Sequence, residues 1–381
     1  MTSIGIICEY NPFHNGHLYQ IQTIKEKYPD SILIAVMTGN FTERGECAIL
    51  NKWIRTEIAL SHGIDLVIEL PYPFATQSAD FFAHGGITIL EKLGVEKVIF
   101  GSESNNIESL QTIAKVQIEN DEFDKLVKVY SKLGKNYPTA ISCAVEDLTG
   151  KKIDTPNDLL GVSYIKTILK NHYHIQPETI QRTNEYHTKE LENSISSASS
   201  IREALKRKES IKNQVPEDTI GYYQTLHFME DYFPLLKYKI LSEEDLTIYQ
   251  TVEEGIDQVL KKQILNSNSY EELIQNIKSK RYTYNKISRM LLHILCNFTK
   301  EKAKDMQEIE YIRILGMNQK GRDYLNTIKK KLEIPLISKI TRNKPEMLEF
   351  EIKTTNIYDI PYQDCQKMEE ARIIIKGEEN D

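Results

Sequence analysis

Two histidines three positions apart, His14 and His17, stand in the string EYNPFHNGHLYQIQ that begins at Glu9. Asn15 and Gly16 lie between them, and Pro12 precedes them. Imidazoles at this spacing can donate hydrogen bonds to phosphate oxygens as charge builds during displacement at phosphorus. Ser3–Cys8, just upstream, is an apolar strand-like run, and His17–Lys27 is amphipathic. The pair therefore falls where a strand gives way to a helix. A helix start offers free N–H groups and partial positive charge to an anion, and Gly16 permits close approach. The competing reading is one capping and one packing histidine. The place of HNGH at the head of a βαβ pattern favours phosphate chemistry. Zinc is the poorer reading, because no CxxC pair or third histidine stands nearby.

A second signal is SSASSIR, Ser196–Arg202. Ser199 and Ser200 are N-cap candidates whose hydroxyls, with the helix-start amides, suit β- and γ-phosphates. Arg202 on the first turn adds a charged donor. Alone this reads as an ordinary serine cap; beside HNGH it reads as a second phosphate wall. GNFTER, with Asn40 and Arg44, follows the second strand-like run, where a loop at a strand's C-terminal end is well placed for a substrate, and Lys52 and Arg55 lie beyond it as further substrate candidates. The last two read equally well as a solvated helix face. Gly101 follows a fourth strand, where it permits close approach of an adenine or ribose.

The elements that must position these groups alternate regularly. Strand-like runs at Ser3–Cys8, Ser31–Thr38, Ile64–Leu70 and Val95–Phe100 are separated by helical patterns at His17–Lys27, Lys52–Ser61 and Ala75–Leu93. Continuous apolar strands in βαβ order predict a Rossmann-like α/β fold with a parallel sheet covered on both faces. Ligands in such sheets bind beyond the C-terminal strand ends, near the switch point. Residues 105–180 read as mostly helical, with one more short strand near Thr179–Gln181. From Glu209 the strand runs disappear. The expected division is 1–208, α/β, and 209–381, mostly helical, with a weakly structured acidic tail from residue 354.

Net charge is −7 over 381 residues, yet Lys261 to Lys344 carries 19 basic against 8 acidic side chains. An acidic protein can thus hold a basic face. KRYTY, with Lys280 and Arg281, then Lys286 and Arg289, interleaves cations and aromatics as single-stranded RNA binding requires. Arg313, Lys320 and Arg322 extend the run. Solvated helices with buried tyrosines are the plainer reading of each residue taken singly. No apolar run approaches the roughly 20 residues of a membrane span. The N-terminus reads as a strand rather than a signal peptide. Five scattered cysteines suit a reducing cytoplasm.

HNGH after the first strand and ISSASSIR before a later helix resemble the nucleotidyltransferase superfamily, whose patterns are HxGH and ISSTxxR. The second motif departs by one extra residue before the arginine. VMTGNFTERGE, LNKWIRTEIAL, GIDLVIELPYPFATQSADFFAHGG, FGSES, PNDLLGVSYI and YIRILGMNQKG narrow the likeness to the bacterial tRNA(Met) cytidine acetate ligase family, over nearly the whole chain. The resemblance implies a ligase that uses ATP and acetate to form N4-acetylcytidine at the wobble position of elongator tRNA(Met). Acetyl-adenylate would be the intermediate, with AMP and diphosphate released. It implies His14, His17, Ser199, Ser200 and Arg202 as catalytic groups. It places ATP on Ile7, Cys8, Glu9, Tyr10, Asn11, Pro12 and Phe13, on His14, Asn15, Gly16, His17, Leu18, Tyr19 and Gln20, and on Gly101, Asn157 and Arg182. It assigns tRNA to the basic helical part, with Mg2+ only as the counterion of ATP. Two other readings share parts of this pattern. A small-molecule adenylyltransferase would leave the basic segment idle. A non-catalytic RNA-binding protein would leave HNGH unexplained.

Overall fold

The computed structural model describes residues 2–182, 196–365, 369 and 373–377. The first part forms β1 (Ser3–Cys8), α1 (Asn15–Lys27), β2 (Ile32–Thr38), α2 (Lys52–Ser61), β3 (Leu66–Leu70), α3 (Tyr72–Ala75), α4 (Ala79–Lys92) and β4 (Lys97–Ser102). Helices α5 (Ile107–Glu119), α6 (Asp121–Lys132), α7 (Tyr137–Thr149) and α8 (Pro156–Lys170) lead to β5 (Gln176–Gln181) and α9 (Ala198–Lys206). Next come α10 (Phe233–Ser242), α11 (Ile256–Gln263), α12 (Tyr270–Ile277), α13 (Tyr284–Cys296) and α14 (Lys300–Asp305). The chain then returns to the sheet through β6 (Ile312–Met317), α15 (Gln319–Ile328), β7 (Leu336–Ile337), α16 (Glu346–Tyr358) and β8 (Ile374–Ile375).

The sheet runs β5-β4-β1-β2-β3-β6-β7, with β8 also paired to β6. The first five strands are mutually parallel. In β1 to β4 almost every residue is buried, which explains the continuous apolar runs, whereas β5 at the sheet edge is only half-buried. The order reverses between β1 and β4, so the crevice at the C-terminal ends of these two strands is the switch point. HNGH opens on it. Gly85 lets α4 approach Phe74 of α3, and Gly86 lets it lie close on the sheet. A Cβ at Gly86 would sit 2.6 Å from Ile7 Cδ1.

Strands do not disappear after Glu209. YIRILGM folds as β6, antiparallel to β3, with Arg313 directly opposite Glu69. Tertiary pairing overrides a pattern that reads as helical beside so many charged neighbours. One sheet and one main core therefore draw on both sides of residue 208. The tail also differs from expectation: residues 354–358 complete α16, Glu369 is buried, and β8 pairs with β6.

Candidate active site

After β1 the chain turns sharply. Tyr10 adopts a left-handed backbone with φ 48°, a conformation that costs an ordinary residue about 1–2 kcal/mol. Packing holds it there: Tyr10 and Phe13 are buried, and the Tyr10 ring meets Phe13 and His17 edge-on at 4.9 and 4.8 Å. Buried Arg55 braces the turn from behind, donating to the carbonyls of Glu9 at 2.6 Å and Leu50 at 3.0 Å, and to that of Gly39.

His14 is the N-cap of α1. Its Nδ1 accepts from Gly16 N–H at 3.0 Å, and His17 Nδ1 accepts from His14 N–H at 3.3 Å. The two rings stack with centroids 3.8 Å apart. Both Nδ1 atoms are therefore acceptors, and a neutral ring must carry its proton on Nε2. Burial first, then the Arg182 and Arg202 guanidinium groups, lower His14 to about 3. Burial, His14 and Arg182 hold His17 well below the usual imidazole range. The site thus presents two neutral Nε2–H donors. The helix-start amides are less open than expected: Asn15 N–H donates to the Gln214 carbonyl at 2.9 Å, and Gly16 N–H is taken by His14. The donors left open toward the cavity are the imidazoles and side chains around them.

A pH prediction follows. The unfolded chain takes up protons on these histidines near pH 6.5 and the native site does not. Their stabilisation is therefore complete above that pH and lost as pH falls from 6.5 toward 3. Each such histidine should steepen the fall by at most about 1.4 kcal/mol per pH unit. Urea unfolding from pH 7 to 4 checks this, and a His14→Asn variant should show a shallower slope.

The second wall comes from α9. Its N-cap is Ser197, ahead of Ser199 and Ser200 in the chain; the Ser197 hydroxyl accepts from Ser200 N–H at 3.1 Å. Ser199 faces the cavity, whereas Ser200 is buried behind it. Arg44 donates to Ser199 Oγ at 3.2 Å. Arg202 bridges the two motifs, donating to the Asn11 carbonyl at 2.8 Å and the Glu46 carboxylate at 3.2 Å. On the β4 side, Glu103 accepts from Asn157 Nδ2 and Asp158 N–H, and lies 3.6 Å from Arg182. A Cβ on Gly101 would meet Arg182 Cγ at 3.1 Å, so the glycine seats this arginine.

These groups border a cavity of about 1,440 Å³. Ile7–Asn11, Gly16, Tyr19 and Gln20 line it with the two histidines, whereas Pro12, Phe13, Asn15 and Leu18 do not. Lys280, Arg281, Lys286 and Arg289, on and before α13, line the same cavity. Arg289 pairs with Glu43 at 2.6 Å. Glu43 lies inside GNFTER yet was not singled out by sequence reasoning; its only signal was that motif. Burial pushes its carboxyl up, against the pull of Arg289.

Six expected substrate residues lie elsewhere. Asn40 is buried and holds Lys52 N–H at 2.8 Å. Lys52 is fully buried against Glu69 at 2.7 Å and Glu369 at 3.0 Å. Arg55 is the brace described above. Arg313 pairs with Glu69 at 2.9 Å and Glu369 at 2.7 Å. Lys320 donates to the Ser31 carbonyl, at the edge of the sheet opposite the cavity, and exposed Arg322 is on the same helix. A basic residue in the sequence does not announce the buried carboxylate that claims it. Burial, then the nearby Glu69 carboxylate, push Glu351 in this cluster up to about 8. Against its burial, Lys52 and Arg313 hold Glu369 below the usual carboxylate range. Among the described residues no group of three or more His, Cys, Asp or Glu is arranged to hold a metal, and no helix is long and apolar enough to cross a membrane.

A strand-to-helix turn with outward imidazole donors, facing a serine-rich helix start across a parallel-sheet switch point, defines a nucleotidyl-transfer class of site. A family profile described as HIGH Nucleotidyl Transferase matches residues 1–372. The chain is 42% identical over 362 residues to a tRNA(Met) cytidine acetate ligase of Geobacillus sp. (strain WCH70), covering 90% of each. It is 37% identical to the protein of that name from Bacillus subtilis (strain 168), covering 97% of this chain and 94% of the relative. The crystal structure of Thermotoga maritima TmcAL superposes with TM-score 0.92 at 32% identity, over 99% of this chain and all of that one. A second form of that protein, bound with alpha-thio ATP, gives 0.89 at 31% identity, over the same shares. The chain belongs to the HIGH nucleotidyltransferase family and, within it, to the tRNA(Met) cytidine acetate ligases.

Proposed function

We propose that this protein is a ligase that uses ATP and acetate to convert the wobble cytidine of elongator tRNA(Met) to N4-acetylcytidine. One observation carries the reading: two stacked neutral imidazoles, each with its Nδ1 engaged by backbone, face a cavity that runs on to the basic cluster at α13. The relatives' shared name and the nucleotide analogue bound by the Thermotoga maritima neighbour support it.

In the first step an acetate oxygen attacks the α-phosphorus of ATP, the bond from that phosphorus to the bridging oxygen breaks, and diphosphate leaves. Acetate is a weak nucleophile, so positioning and charge stabilisation must supply the rate. The Nε2–H groups of His14 and His17 donate to the phosphate oxygens that gain charge, and Ser199 and Arg202 hold the outer phosphates. Gly101, Asn157 and Arg182 border the nucleoside. In the second step N4 of the cytidine attacks the acetyl carbon and AMP leaves. The mixed anhydride is already activated, so no covalent enzyme intermediate is needed. The helical part, within residues 209–305, brings its cations to the RNA phosphates. Magnesium enters as the counterion of the triphosphate, and the cytoplasm, where tRNA resides, is the site of action.

The test is direct. Purified protein should exchange labelled diphosphate into ATP only with acetate, and should add the mass of one acetyl group to the wobble cytidine, by mass spectrometry, only with ATP, acetate and tRNA together. Transfer of AMP to a small phosphorylated acceptor instead would overturn the reading.

A further inference from the structure

Three large hydrophobic side chains line the cavity while staying more than a third exposed, and all are aromatic: Tyr19 at 39%, Phe81 at 36% and Tyr137 at 61%. Tyr19 follows the histidine motif on α1. The other two stand apart from it, on the first turns of α4 and α7. Phe82, the next residue, is buried in the core at 3%. Helix α4 therefore seats one phenylalanine inside and leaves its neighbour in the cavity. An exposed phenylalanine forgoes about 1.5–3 kcal/mol of burial, and a polar residue would serve the start of the helix as well.

Asp80 ties the two rings to one place. Its carboxylate is held by Ser163 at 2.8 Å and Lys166 at 2.9 Å. Asp80, Phe81 and Tyr137 all line the cavity, and burial first, then this carboxylate, raise the Tyr137 phenol. The cavity volume also points to two ligands. Pockets for one small molecule run to roughly 300–1,000 Å³, and about 1,440 Å³ is present. Lys280, Arg281 and Lys286 border the same space. Exposed aromatic faces beside cations are what an unstacked base and its flanking phosphates require.

We propose that Phe81 and Tyr137 form the stacking surface that receives the acceptor cytosine of a single-stranded RNA loop, while the α13 cations hold the phosphates beside it. This rests on the ligase reading above. The surface positions the base and takes no part in bond making.

The test compares Phe81→Leu, Tyr137→Leu and the double variant with Phe81→Tyr and Tyr137→Phe. Acetate-dependent diphosphate exchange, run without tRNA, should stay within about twofold in all of them. The kcat/KM for tRNA acetylation should fall about 5- to 100-fold in the leucine variants, the range for loss of one stacked base, and recover in the aromatic ones. A fluorescent cytidine analogue at the wobble position of the tRNA should be quenched by the parent protein and not by the double variant. Equal loss in both reactions would move the aromatics to the ATP base and overturn the proposal, as would undiminished acetylation and quenching in the double variant. Absence of acetate-dependent exchange in the parent protein would sink the ligase reading instead, and quenching would still decide the stacking.

Discussion

His17→Asn should lower acetate-dependent diphosphate exchange by about 10²–10³-fold, the usual cost of removing one transition-state donor. It should leave tRNA affinity within about twofold. Asparagine is chosen because its carbonyl oxygen can replace Nδ1 as acceptor for His14 N–H, while nothing replaces the Nε2–H donor. The helix cap survives and the chemistry does not. Without the cap, His17→Ala should lose a further 0.5–2 kcal/mol, approximately, of stability. His17→Gln carries an amide nearer the Nε2 position and should recover part of the rate. Gel-shift titration with tRNA, exchange kinetics and urea unfolding separate the three effects. Parallel loss of exchange, affinity and stability in His17→Asn would make the ring a packing group.

Arg313→Met should destabilise the fold by about 3–5 kcal/mol, because it leaves Lys52 alone to balance Glu69 and Glu369, with one buried charge uncompensated. The tRNA affinity of the folded fraction should not change. Replacing Arg313 and Glu69 together, by Met and Gln, should restore part of the loss, since the penalty lies in the uncompensated charge rather than in the absence of the pair. Denaturant unfolding of both variants checks this. Unchanged stability with weakened tRNA binding would return Arg313 to the RNA face.

The parallel sheet was legible because buried strands repeat one simple pattern: SIGIIC, ILIAVMT and LVIEL hide both faces, and the sequence can show little else there. HNGH was legible because its geometry is local: both histidines stack and cap within one helical turn. What sequence reading missed was contact between distant segments. Lys52 and Arg55 look like a solvated stripe until Glu69, Glu369 and the carbonyls of Glu9 and Gly39 are brought to them. YIRILGM looks helical until Glu69 stands opposite Arg313. The Ser-rich motif fell between these cases. Its helix start was readable, but several serines could have capped it, and Ser197 does.

Glu369 has a consequence for how the molecule is made. It meets Lys52 across 317 residues of sequence, and translation proceeds at roughly 5–20 residues per second. The lysine is thus synthesised roughly 15 to 60 seconds before its partner exists. Until then the nascent chain holds a cation beside the GNFTER loop with part of its countercharge missing. Asn40 of that loop also donates to Thr355 Oγ1 and Cys365 Sγ, so its packing, like that of Lys52, is finished by segments made long after it. A chain shortened ahead of Glu369 would carry HNGH and the serine-rich motif but leave Lys52 without one of its carboxylates.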